Sequence, residues 1–168
     1  MKRSNLRVSN VRVIAAVAAL TLPGLTLGQT DPQARPPSTA PELAAIVTDR
    51  APKPVGPYSQ AIKAGGFIFC AGQGAFDPKS GQIVEGGIKE QTRQVMRNLQ
   101  AVLEAGGSGL DRVVKVTVFL SDWKDFPGMN EAFAEFFKNG PPPARSTAQG
   151  ERWPAGSLVA IEAIALAR

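Results

Sequence analysis

The sequence predicts an α+β domain with two helices on one face of a mixed sheet. Three observations carry that expectation. Phe67–Gln73, Val113–Ser121 and Leu158–Leu166 are apolar, β-branched runs bounded by turn chemistry, and each reads as a strand. Between the first two runs, Ile88, Thr92, Val95, Leu99, Val102 and Leu103 recur at helical spacing. Between the last two, Asp125-Phe126-Pro127 opens a second helix, with Phe133, Phe136 and Phe137 on its apolar face. The order is β β (β) α β α β β.

The chain begins with Lys2, Arg3, Arg7 and Arg12, then an apolar run from Val13 to Leu27 that ends at Thr26-Leu27-Gly28. A basic start, an apolar middle and a small-residue end are the layout of a secretory signal, so 1–28 reads as a signal peptide. The run is short for a membrane span and contains Pro23 and Gly24. An uncleaved anchor is the alternative. Cleavage would leave no stable membrane anchor and an exported, periplasmic or secreted, domain. Residues 29–50 read as a linker, rich in Pro, Thr, Ser and Gln up to Pro41. Glu42–Arg50 either pairs loosely with the domain or makes one helical turn. The folded domain is expected over 51–168.

Its entry, Ala51 to Gln60, is spaced by Pro52, Pro54 and Pro57 and cannot be helical. Ser59–Lys63 is a first strand, and Ala64-Gly65-Gly66 turns it into the second. The apolar run of Phe67–Gln73 is continuous, so both its faces should be covered. Cys70 within it reads as a small core residue. Gln82-Ile83-Val84 is a short strand. Gly106-Gly107 stops the first helix and Gly140 the second. Lys89, Glu90, Arg93, Arg97 and Gln100 form the first helix's wet side. Trp153–Ser157 is a turn before the last strand, which only Glu162 interrupts. With both helices on one face, the other sheet face stays apolar, and a small domain buries such a face by oligomerising.

Composition removes several chemistries. The 168 residues contain no histidine, which excludes Ser-His-Asp, Cys-His and histidine-metal sites. Cys70 is the single cysteine, so no intramolecular disulfide forms. The net charge of +5 resides mostly in the leader. Without its four basic residues, 15 basic and 14 acidic side chains remain, a net of +1. No basic stripe is left for nucleic acid.

One segment points to chemistry. In Pro141-Pro142-Pro143-Ala144-Arg145-Ser146-Thr147, three prolines stiffen the approach to an arginine. A guanidinium delivered this way is aimed, and its fork matches a carboxylate with two parallel hydrogen bonds. The competing reading is a loop arginine capped by solvent.

Five segments in register carry a resemblance: Gly56-Pro57-Tyr58-Ser59-Gln60, Ala71-Gly72-Gln73, Val114 to Leu120, Pro143-Ala144-Arg145-Ser146 and Ile161 to Ala165. Together they resemble the Rid (YjgF-like) imine deaminase family, over about Ala51 to Arg168. The resemblance implies a chorismate-mutase-like fold and a homotrimer whose sheets face an inner barrel, with three sites between subunits. It implies hydrolysis of 2-imino acids, derived from 2-aminoacrylate and its homologues, to 2-keto acids and ammonia. No metal or organic cofactor is implied. By resemblance, Arg145 clamps the substrate carboxylate, Tyr58 walls the pocket, and the backbone of Thr147 presents polar groups to substrate or water. Ala71, Gly72, Asn130 and Ala160 fall at positions lining the site. For Tyr58 the alternative is core packing, and for Asn130 a cap or an exposed helix position.

Two positions depart from the family's pattern. Ala71 stands where a serine is frequent, and Ala160 where a glutamate associated with the hydrolytic water is frequent. Glu162 points to the same side of the strand as residue 160, about 6–7 Å further on. The expected role of Glu162 is a buried structural carboxylate paired with Lys115. Two functions remain in view: an exported imine deaminase, and a non-catalytic trimeric binder of small carboxylates or 2-keto acids.

Overall fold

The computed structural model describes residues 42–150 and 156–168. The expected signal peptide and the linker up to residue 41 lie outside the described residues, as does most of the Trp153–Ser157 turn. The described residues belong to one compact unit.

The strands are β1 (Ala44–Ile46), β2 (Ala61–Ala64), β3 (Phe67–Gly74), β4 (Val113–Leu120), β5 (Ala144–Gln149) and β6 (Val159–Leu166). The helices are α1 (Ile88–Ala105) and α2 (Phe126–Ala134). The strands form one mixed sheet in the order β1-β2-β3-β6-β4-β5, in which only β4 and β5 pair in parallel. β3 and β4 each run antiparallel to β6 between them, so they are parallel to one another. Both helices are therefore crossovers between parallel strands, α1 from β3 to β4 and α2 from β4 to β5. Such crossovers share one hand, which brings both helices to one face of the sheet. The expected α+β architecture is observed.

Local chemistry explains the elements. The β2–β3 hairpin turns at Gly65 and Gly66, with φ of +54° and +81°, a region L side chains rarely adopt. The N-terminus of α1 is held by Glu90, whose carboxylate accepts from the Gly87 N–H at 3.0 Å. Val95, Met96, Leu99, Val102 and Leu103 of α1 pack fully buried against Ile68, Val116, Val118 and Ile161 of the sheet. Gly106 ends the helix under β1 and β3. A Cβ there would lie 2.5 Å from Ile46 Cδ1 and 2.7 Å from Ile68 Cδ1, so any side chain would force these two buried isoleucine ends to shift.

Several expectations are corrected. The sheet reaches back to Ala44: of the two readings of Glu42–Arg50, pairing with the domain holds, since β1 pairs with β2, and the folded part begins before Ala51. The first expected strand begins at Ala61 rather than Ser59, and Gln82–Val84 makes a single bridge, Phe76 with Ile83. β3 is buried in alternation, not on both faces. Phe67 and Phe69 remain 38% and 45% exposed on the side away from the helices. α2 stops at Ala134, well before Gly140, because Glu135, Phe136 and Phe137 donate to carbonyls three residues back and tighten the chain. Glu162 is not buried and forms no bridge to Lys115. It lies exposed on the open sheet face, and Lys115 Nζ donates instead to Ser146 Oγ at 2.8 Å.

Candidate functional site

The β4–α2–β5 crossover fixes the surroundings of Arg145. Arg145 pairs with Val116 across the β4–β5 ladder, and cross-strand partners share a sheet face. Val116 is buried beneath the helices, so Arg145 projects toward α2. There its guanidinium carbon lies 5.0 Å from the Phe133 ring centroid and 5.8 Å from that of Phe126. One terminal nitrogen approaches Met129 Sδ at 4.0 Å. Phe126, Met129 and Phe133 follow at i, i+3 and i+7 and so make one face of α2. Burial against these apolar groups lowers the Arg145 pKa from its ordinary value, and the group stays charged. Among the described residues no carboxylate pairs with it. The reading of a solvent-capped loop arginine is overturned: this is a half-buried cation on the edge strand.

Two predicted residues lie in the elements on this side of the sheet, Thr147 in β5 and Asn130 in α2. Thr147 pairs with Val118 and shares the helix face of β5. Asn130 stands inside α2, away from its ends, and is half-buried, so it is neither a cap nor an exposed position. Its Oδ1 is buried and has no hydrogen-bond donor among the described residues. A buried carbonyl oxygen without a donor is costly, and it is suited to receive one from a ligand.

The other predicted residues gather elsewhere. Ala160 pairs with Phe119 and faces away from the helices. With Tyr58, Gln60, Gly72, Gly74, Phe76 and Ser157 it lines a cavity of about 640 Å³. Tyr58 is 51% exposed, which excludes the core-packing alternative, and its hydroxyl accepts from the Val55 N–H at 3.3 Å. Ala71 and Gly72 fall at the β-bulge where the register of β3 against β6 shifts between Cys70 and Gln73. In the ladder Ala160 belongs to the row of Phe119 and Ala148, and Arg145 to the row of Val116. Three residues of strand, about 10 Å, separate those rows, and the two side chains point to opposite faces. One chain therefore holds two half-sites: Arg145, Asn130 and Thr147 on the helix side, and Tyr58, Gly72 and Ala160 around the cavity.

The cavity walls are fixed by amide side chains that the sequence reading passed over. Gln91, Gln94 and Asn98 recur at i, i+3 and i+7 along α1 and are buried. Asn98 Nδ2 donates to the carbonyls of Gly74 and Phe76, Asn98 Oδ1 accepts from Gln94 Nε2, and Gln94 Oε1 accepts from Arg97. Gln91 Oε1 accepts from the Leu158 N–H, two residues before Ala160. On the far wall, Gln60 Nε2 donates to the carbonyls of Thr48, Ala51 and Pro52, and Gln60 Oε1 accepts from the Thr48 N–H. The available signal was three amides at helical spacing beside a stripe that is apolar except for Thr92. Among the described residues, no group of three or more His, Cys, Asp or Glu side chains is arranged to hold a metal ion.

Comparison with known proteins shows what the chain is similar to. The family model described as Endoribonuclease L-PSP matches residues 48–167. A RutC family protein of Pyrococcus horikoshii is 57% identical over 120 residues, which cover 71% of this chain and 94% of that one. The 2-iminobutanoate/2-iminopropanoate deaminase of Mus musculus is 45% identical over 121 residues, covering 72% of this chain and 89% of that one. A crystal structure of a Rid family protein from Yersinia pestis superposes with a TM-score of 0.72 at 41% identity, covering 74% of this chain and 99% of that chain. The structure of E. coli TdcF with bound serine superposes with a TM-score of 0.71 at 35% identity, covering 74% and 99%.

Proposed function

The chain belongs to the endoribonuclease L-PSP family, which includes the Rid (YjgF-like) proteins, and on that footing we propose that it hydrolyses reactive 2-imino acids to 2-keto acids and ammonia. The single observation that carries this reading is Arg145, a half-buried guanidinium with aromatic neighbours and no carboxylate partner among the described residues. A 2-imino acid brings the missing carboxylate, next to an electrophilic C=N carbon. Two parallel hydrogen bonds from the guanidinium would fix that carbon for attack. Water adds across the C=N bond, its oxygen to the carbon and a proton to the nitrogen, giving a carbinolamine; as its C=O bond forms and its C–N bond breaks, the hydroxyl proton passes to the nitrogen, which leaves as ammonia. The orphan Oδ1 of Asn130 is suited to accept from the iminium N–H. The mouse relative's name supports this substrate class, and the serine bound to TdcF is a small carboxylate of comparable size.

The two half-sites support completion by a second copy. Phe67, Phe69 and Leu166 leave apolar surface on the open sheet face, which association as a homotrimer would bury. The basic, apolar leader supports export to the periplasm or medium.

The test is imine hydrolysis by the purified protein. An amino-acid oxidase generates the imine in place and semicarbazide traps what is not hydrolysed. Wild type is expected to compete with the trap and Arg145→Ala is not. A second reading is a trimeric binder of small carboxylates or 2-keto acids without turnover. It is favoured by Ala160 and Ala71, which bring no polar side-chain atom to the site. Pyruvate binding by calorimetry without imine hydrolysis would select it.

A further inference from the structure

We infer that Phe126 and Phe133 are positioning residues that hold the Arg145 guanidinium in one orientation for the ligand carboxylate. The inference deepens the proposed reading of Arg145 and rests on it.

An arginine side chain is long and, at a strand edge, samples many rotamers. The usual device for fixing one is a carboxylate, which would also occupy the donors needed for a ligand. Here the neighbours are of another kind. Phe133 and Phe126 approach the guanidinium carbon at 5.0 Å and 5.8 Å, and Met129 Sδ lies 4.0 Å from a terminal nitrogen. Both rings are within the range of cation–π attraction. A ring face offers no oxygen lone pair, so it attracts the cation while its N–H donors remain available to a carboxylate. The cradle is itself fixed. Phe133 and Met129 are buried, and Phe126 packs against Trp123 at 5.4 Å between centroids. Arg93 holds the end of α2 to α1 with two hydrogen bonds to Glu135, of 2.9 Å and 2.7 Å.

The variants are Phe133→Leu, Phe126→Leu and Phe133→Tyr, made in the full chain. Leucine keeps an apolar contact and removes the ring, whereas tyrosine keeps the ring. The first readout is ¹⁵N relaxation of Arg145 Nε without ligand, which does not depend on the proposed activity. An ordered Nε is expected in wild type and Phe133→Tyr, and a mobile one in each leucine variant. The second readout is pyruvate affinity. It should fall about 2- to 30-fold in each leucine variant and return toward wild type in Phe133→Tyr. Circular dichroism establishes that each variant is folded, and Phe126→Leu, at a half-buried position, serves if Phe133→Leu is not. An Arg145 Nε as ordered in the leucine variants as in wild type overturns the inference. So does unchanged pyruvate affinity in variants where wild type binds. If wild type neither binds pyruvate nor hydrolyses imines, the functional reading fails, while the relaxation arm still decides the cradle.

Discussion

Asn98 donates from Nδ2 to the Gly74 carbonyl at 3.1 Å, and the same amide nitrogen reaches the Phe76 carbonyl at 2.9 Å. One side chain of α1 thereby fixes the chain where it leaves β3 and forms a wall of the cavity. Asn98→Leu is similar in size and removes both bonds and the one it accepts from Gln94, so the Gln94 amide and two carbonyls lose this partner. A buried polar group left unpaired costs about 1–3 kcal/mol. We expect a loss of about 2–4 kcal/mol in urea unfolding, with Asn98→Asp no better because a carboxylate cannot donate. A variant as stable as wild type would remove Asn98 from this role.

Gln60 does similar work at the opposite wall. Its four hydrogen bonds tie residues 48–52 to the start of β2. Because the Thr48 N–H donates to Gln60 Oε1 at 2.7 Å, its exchange reports on this contact directly. Gln60→Leu should speed hydrogen exchange at Thr48 by at least 10-fold, while the amides of β6 keep their protection. Uniform acceleration across the sheet would instead mean that Gln60 supports global stability.

The two walls show what the sequence makes legible. Apolar runs bounded by turn chemistry reveal β3, β4 and β6, and a period of 3.6 reveals α1, because each buries a face in a shared core. β1 was hidden because three residues, Ala44-Ala45-Ile46, are too few to display a period, and they become a strand only by pairing with β2. β5 has its place in the expected order, but it reads Ala-Arg-Ser-Thr-Ala-Gln, a polar edge whose parallel pairing with β4 no local pattern carries. Arg145 was legible from its prolines, but Phe126 beneath it was not. Contact between them requires knowing that α2 crosses back over β4 and β5. The division of the site between two sheet faces was equally hidden, since motif order along a chain carries no information about side.

Cys70 yields a pH prediction. Burial pushes its thiol from an ordinary value of 9.0 up to about 12. The unfolded thiol therefore ionises first. Stability from the buried neutral thiol is fully present below about pH 9 and is lost as pH rises toward about 12, by at most about 1.4 kcal/mol per pH unit. Cys70→Ala should flatten this part of the stability profile. Ellman's reagent should react with the folded protein only as fast as the core opens, and rapid reaction at pH 8 would contradict the burial.

Arg145 should lower stability slightly in exchange for binding. Its charge is partly desolvated by burial, and no carboxylate among the described residues compensates it. The two rings return part of that cost. Arg145→Met keeps the length and apolar contact without the charge. It is expected to leave stability within about 1 kcal/mol of wild type or to raise it. Imine hydrolysis and pyruvate binding should both be lost. A marked loss of stability would make Arg145 a structural residue first, and would weaken the carboxylate-clamp reading.

Ala160 is the position where the proposed reaction most lacks a group. It is 4% exposed and lines the cavity with Tyr58 and Gly72. The nearest acid along the strand is Glu162, which lies beside Lys115 and Thr117 around a separate cavity of about 160 Å³. Water must therefore be held by other groups, or be held poorly. Ala160→Glu introduces a carboxylate on the same side of β6, into a cavity large enough for it. A well-placed general base contributes about 10²- to 10⁴-fold. We expect a smaller gain, at least about 10-fold in the hydrolysis rate, because the surrounding wall is built for alanine. Burying the new carboxylate should cost about 1–3 kcal/mol of stability at neutral pH and less below its pKa. A faster enzyme that is less stable would identify water handling as the step this chain lacks. An unchanged rate with pyruvate affinity intact would mean that the water is held from a different position.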